Sequence, residues 1–151
     1  MEKCNQLQLL AINTIDIIKR LSLEKKINEK STIIFDIDNT LIDKYGKGMM
    51  PIIAIYHYAK LFNIRIMIIT SRYATPENID KTQDQLHGYG ICDYENIYFM
   101  KEQSDVALFK YNARQKIREK GYDTILSLGD LDLDGLNCQY AGIFIKIPKT
   151  L

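Results

Sequence analysis

Residues 36–43 read Asp-Ile-Asp-Asn-Thr-Leu-Ile-Asp, directly after the apolar run Thr32-Ile33-Ile34-Phe35. Two carboxylates, Asp36 and Asp38, therefore stand two positions apart where a buried strand should end. An ionised carboxylate taken out of water is costly unless a counter-charge balances it. The residue types point to a hard divalent cation and a phosphate as that balance. Other apolar runs also lead into polar groups. Ile66-Met67-Ile68-Ile69 runs into Thr70-Ser71-Arg72, and Thr124-Ile125-Leu126-Ser127-Leu128 runs into Gly129-Asp130-Leu131-Asp132-Leu133-Asp134. Lys101, Lys110 and Arg114 follow the run at 96–100. Asp36 with Asp130 makes an oxygen site suited to Mg²⁺, which takes one or two carboxylates and fills its shell with water and phosphate oxygens. Asp38 can add a backbone oxygen to that metal while its carboxyl serves elsewhere. Thr70, with Ser71 beside it, offers a hydroxyl and an N–H to a phosphate oxygen, and a lysine adds a point charge. Nucleophile, metal, phosphate clamp and a second carboxyl for proton transfer are the parts that phosphoryl transfer needs.

Alternating strands and helices must position these groups. Continuous apolar runs predict strands at 32–38, 64–70, 96–100, 124–129 and 142–147. Helices are expected at about 51–62, 76–88, 104–120 and 133–139, with Pro51 and Pro76 in first turns, Ser104 as an N-cap and Gly121 as a stop. Strands apolar on both faces fit a parallel sheet covered on both sides. In such sheets ligands bind beyond the carboxyl ends of the strands, where Asp36, Thr70 and Asp130 lie. Leu7, Leu10, Ala11, Thr14, Ile17, Ile18 and Leu21 recur at helical spacing and predict a further helix over 4–24. Leu9, Ile12 and Ile15 lie off that stripe, which leaves two readings of this helix: burial on two sides, or contact with a partner such as a second copy in a homodimer.

The chain of 151 residues suits one domain, 1–151, with residues 1–30 as an N-terminal helix and connector. A net charge of +1 provides no global field to recruit nucleic acid or an acidic membrane. Cys4, Cys92 and Cys138 have neither disulfide-framework nor zinc spacing, so reduced thiols in a cytoplasmic setting are expected. No run is long and apolar enough to suggest a membrane span, and residues 7–18 do not read as a signal peptide.

Asp36-x-Asp38-x-Thr40, Thr70, Lys110 and Gly129-Asp130-x-x-x-Asp134 resemble, in order, the four motifs of the haloacid dehalogenase-like (HAD) superfamily. Lys110 through Arg114, then Gly121-Tyr122 and Asp130-x-Asp132-x-Asp134, resemble its acid phosphatase branch, subfamily IIIB, including class B acid phosphatases. The resemblance implies a three-layer α/β/α Rossmann-like fold with a parallel sheet of about five strands in the order 5-4-1-2-3. It implies a Mg²⁺-dependent phosphomonoester hydrolase in which Asp36 becomes an aspartyl-phosphate and Asp38 is the general acid and base. Thr70, Ser71 and Lys110 would hold the phosphate, and Asp36, Asp38 and Asp130 the metal. Asp134 would orient Lys110 or a metal-bound water. Asn39 departs from the branch, which often has an acidic residue there.

Thr40 and Pro51 are eleven positions apart, so only a short flap around Lys44-Tyr45-Gly46-Lys47-Gly48 fits between them, and no large cap domain is expected. An open site would admit a phosphorylated small molecule, a nucleotide or a macromolecular phosphate. Lys44, Lys47, Arg72 and Tyr45 would line its mouth. Two other readings stay open: a phosphotransferase using the same intermediate, and a non-catalytic HAD-like binding or signalling module.

Overall fold

A computed structural model of the chain describes residues 2–149. In chain order its elements are α1 (Glu2–Leu23), β1 (Ser31–Phe35), α2 (Met50–Leu61), β2 (Arg65–Tyr73), α3 (Pro76–His87), β3 (Asn96–Met100), α4 (Val106–Glu119), β4 (Asp123–Gly129), a 3₁₀ turn (Asp132–Asp134) and β5 (Ile143–Lys146). The strands form one parallel sheet in the order β3-β2-β1-β4-β5, which is the expected 5-4-1-2-3 read from the other edge.

Period-two alternation explains the continuous apolar runs. Ile33 and Phe35 of β1, with Ile66 and Ile68 of β2, face a core shared with Ile52, Ile55 and Tyr56 of α2. Ile34, Met67 and Ile69 face the opposite side and meet Ala113 and Ile117 of α4. Both faces are buried, so both parities must be apolar. Leu86 and Ile91, at and after the end of α3, join the first core. Helix α1 packs on α2, with Ala11, Thr14 and Ile18 turned inward. Ile15 is partly buried against the same core, while Leu9 and Ile12 are exposed. Among the described residues, no helix is long and apolar enough to cross a membrane.

Several expected boundaries move. The helix expected over 133–139 is absent; its place is taken by the 3₁₀ turn and loops. Asn137 within it adopts a left-handed φ of 53°, which a continuous helix cannot hold. Strand β2 does not stop at Thr70 but runs to Tyr73, with a register irregularity between Ile69 and Tyr73 that re-aims the side chains there. Strand β1 ends at Phe35, although Asp36 N–H still donates to the Leu128 carbonyl at 3.0 Å. The N-cap of α4 is Asp105 rather than Ser104; its carboxylate accepts from Leu108 N–H at 2.9 Å.

Residues 36–49 make a compact loop between β1 and α2. The N–H groups of Thr40, Leu41 and Ile42 converge on the Ile37 carbonyl. Asn39 sits at φ 62°, a region its short polar side chain tolerates. Asp43 accepts from the N–H groups of Tyr45 and Lys47 and closes the flap. No separate lid domain is present among the described residues.

Candidate active site

The central strands β1 and β4 are neighbours, so Asp36 and Asp130 leave adjacent strand ends at one edge of the sheet. Asp36 is buried to 8% exposure. One of its oxygens accepts from Lys110 Nζ at 2.9 Å, and the other from the Thr40 hydroxyl at 3.2 Å. Lys110 projects from the second turn of α4, is 3% exposed, and also binds Asp134 Oδ1. It therefore stands between Asp36 and Asp134. Lys101, the other lysine near this strand end, is exposed.

Asp134 reaches Lys110 because the 3₁₀ turn folds it back over Gly129. Its second oxygen accepts from Leu131 N–H at 3.1 Å. A Cβ on Gly129 would lie 2.3 Å from Asp134 Cβ, so only glycine lets the carboxylate lie this close to β4. Arg114, one helical turn beyond Lys110 and 2% exposed, donates to the Leu133 carbonyl at 3.2 Å and props the same turn. Burial lowers the pKa of this guanidinium.

Oxygens of Asp36, Asp130 and Asp134 lie within 4.8 Å of one another. Burial pushes the Asp36 carboxyl from 3.8 up to about 8; the nearby Asp134 and Asp130 add to the rise, and Lys110 opposes it. Burial works against the charge of Lys110, but Asp36 and Asp134 outweigh it and raise its pKa. Lys110 pairs with two of the three carboxylates, Asp36 and Asp134, which leaves an excess of negative charge when all are ionised. This donor set fits a hard divalent cation: oxygen ligands, partly buried, short of positive charge.

The remaining residues occupy distinct places. Thr70 is fully buried at the bulged part of β2, and its hydroxyl accepts from Arg72 N–H at 3.1 Å. Ser71 beside it is half-buried. The Asp38 carboxylate lies outside the acidic cluster and pairs with Arg72, at 2.7 Å from Nη2 and 3.0 Å from Nε. Asp132 pairs with Lys146 at the surface and does not join the cluster. Tyr45 is exposed, under Lys44 Nζ at 5.2 Å from its ring centre. The sequence placed Arg72 at the mouth of the site; its partner there is a carboxylate 34 positions away. The available signal was an arginine at the end of a strand expected beside β1.

Residues 44–151 match the model of a family described as HAD superfamily, subfamily IIIB (acid phosphatase). The matched segment contains Thr70, Lys110, Asp130 and Asp134 and begins within the loop after β1, so that Asp36 and Asp38 precede it. No curated protein matches the chain. The fold is similar to two solved structures of the class C acid phosphatase from Bacillus anthracis. The one with tungstate bound has a TM-score of 0.70, and the other 0.69. Each is 17% identical and covers 95% of this chain and 78% of its own. The chain belongs to subfamily IIIB of the HAD superfamily, the acid phosphatases, and is by that membership a phosphomonoester hydrolase.

Proposed function

We propose that the chain hydrolyses phosphomonoesters with Mg²⁺ through an aspartyl-phosphate on Asp36. The observation that carries this reading is the seating of Asp36 between Lys110 and Thr40, at the strand edge that also holds Asp130 and Asp134. Asp36 and Asp130, with a backbone oxygen of Asp38, would hold the Mg²⁺. The ion would neutralise the cluster and withdraw charge from the phosphoryl oxygens.

Lys110, with the positive charge a bound cation would add, would keep Asp36 ionised despite burial, as attack requires. An Asp36 oxygen displaces the ester oxygen at phosphorus; one P–O bond forms as the other breaks. Asp38 gives its proton to the departing oxygen. It then takes a proton from the water that attacks phosphorus and frees Asp36. The N–H groups and hydroxyls of Thr70 and Ser71, with Lys110, hold the phosphoryl oxygens in line. The open edge, without a lid domain, suits a phosphorylated metabolite or nucleotide and leaves room for a larger phosphate ester.

The decisive variant is Asp36→Asn, which keeps the shape of the side chain and removes the nucleophile. Hydrolysis of p-nitrophenyl phosphate with Mg²⁺ is expected to fall on the order of 10³-fold or more. Wild-type turnover in that variant would overturn the assignment.

A further inference from the structure

Arg72 touches a carboxylate of this site, yet phosphoryl transfer gives it no task of its own. Its guanidinium is held from two directions. Nε and Nη2 grip the Asp38 carboxylate as a fork, at 3.0 and 2.7 Å. Nη1 donates to the Thr82 hydroxyl at 3.0 Å and to Gln85 Oε1 at 2.9 Å, both on α3. Thr82 is buried, so the anchor is part of the core face of that helix. Gln85 in turn donates through Nε2 to the Gly46 carbonyl of the flap at 3.3 Å. A planar group fixed along two edges has little freedom to turn. Asp38, by contrast, has a half-exposed side chain and would otherwise rotate freely.

We propose that Arg72 is a positioning residue that holds the Asp38 carboxyl toward the leaving group and away from the metal cluster. The proposal rests on the reading of Asp38 as the general acid. A short carboxylate beside a hard cation is a natural ligand for it, and a ligating Asp38 could not protonate the departing oxygen. The fork keeps both Asp38 oxygens out of the Asp36–Asp130–Asp134 group. They face a cleft of about 520 Å³ whose walls include Tyr73, Asn78, Lys81 and Gln85. Each carboxylate oxygen keeps a lone pair beyond the one that Arg72 occupies, so Asp38 can exchange a proton with the ester oxygen without leaving the fork.

The test compares leaving groups. An alkoxide departs only with a proton, whereas p-nitrophenolate departs without one. The constant kcat/KM reports transfer to Asp36 alone and excludes the later hydrolysis of the intermediate. For Arg72→Ala, kcat/KM on glycerol phosphate is expected to fall on the order of 10²-fold, and on p-nitrophenyl phosphate less than about tenfold. Asp38→Asn should show the same contrast, and the double variant should be no worse than the worse single one. Arg72→Lys should not recover the alkyl substrate, because one ammonium cannot span both oxygens; free guanidinium ion added to Arg72→Ala should recover part of it. Gln85→Leu, which removes one anchor and leaves the fork intact, should give a milder loss in the same order of substrates, and decides the matter if Arg72→Ala does not fold. Equal losses on both substrates in the Arg72 and Gln85 variants, with the contrast kept in Asp38→Asn, would overturn the positioning role and leave the proposed hydrolysis intact. Absence of the contrast in Asp38→Asn itself would overturn the acid role and this proposal together.

Discussion

The residue that sets the character of the site is Asp36, a carboxyl whose pKa is pushed up from 3.8 to about 8 by burial first and by Asp134 next. A carboxyl with a raised pKa holds its proton more tightly in the folded chain than in the unfolded one. The folded state then binds more protons across that window, and stability falls as pH rises from about 4 through about 8. The metal-free protein should therefore lose melting temperature over this range. Asp36→Asn should flatten the dependence, which thermal unfolding in EDTA at several pH values would show. Among the described residues, Lys110 supplies the ammonium that pairs with Asp36 and Asp134. Lys110→Ala should strand Asp36 and Asp134 and destabilise the metal-free protein by about 3 kcal/mol or more in chemical denaturation. Lys101→Ala, at an exposed position, should change neither stability nor turnover by more than a small amount.

At the scale of elements, three pieces of irregular backbone do the positioning. The bulged end of β2 carries Thr70 and Ser71 and sends Arg72 to Asp38. The loop after β1 wraps around the Ile37 carbonyl and brings Thr40 back to Asp36. The 3₁₀ turn after β4 folds Asp134 onto Gly129 and into reach of Lys110. Gly129→Ala should displace the Asp134 carboxylate and loosen Lys110. A displacement of about 1 Å in a site of this kind lowers kcat/KM on the order of 10²-fold. Steady-state kinetics on p-nitrophenyl phosphate would measure that fall, and an unchanged value would mean that Asp134 does not set the position of Lys110.

Across the whole molecule, the parallel sheet concentrates acidic side chains at one edge, and no lid domain shields that edge among the described residues. Their mutual repulsion is a standing cost that a bound cation would relieve, so on the proposed function Mg²⁺ binding would be linked to folding. At Mg²⁺ of about one hundred times its dissociation constant the gain is about 2.7 kcal/mol. For a chain of this size that corresponds to a rise in melting temperature of roughly 5–10 °C. Calorimetry with Mg²⁺ and with EDTA would measure it. The difference should largely vanish in Asp130→Asn, which removes a carboxylate from the cluster without touching Lys110.

The sequence alone determined the sheet. Apolar runs of strand length, separated by helical patterns, admit few arrangements other than a parallel sheet covered on both faces, and the order followed from the motifs. It also placed Asp36 and Asp130 at strand ends, because a polar group directly after a buried run tends to emerge at the edge; Thr70, expected at such an end, lies buried inside β2, which runs on to Tyr73. It could not decide where the side chains of the loops turn. Asp38 and Arg72 are 34 positions apart, and nothing local joins them; only the pairing of β1 with β2 and the anchoring of Arg72 on α3 bring them together. The region after Asp130 read as a helix, because its spacing of apolar residues ignores left-handed backbone at Asn137. Strand positions follow from burial, a property each residue carries in its own chemistry. The aim of Asp38, Asp134 and Lys110 follows from contacts between distant segments, which exist only once the sheet has formed.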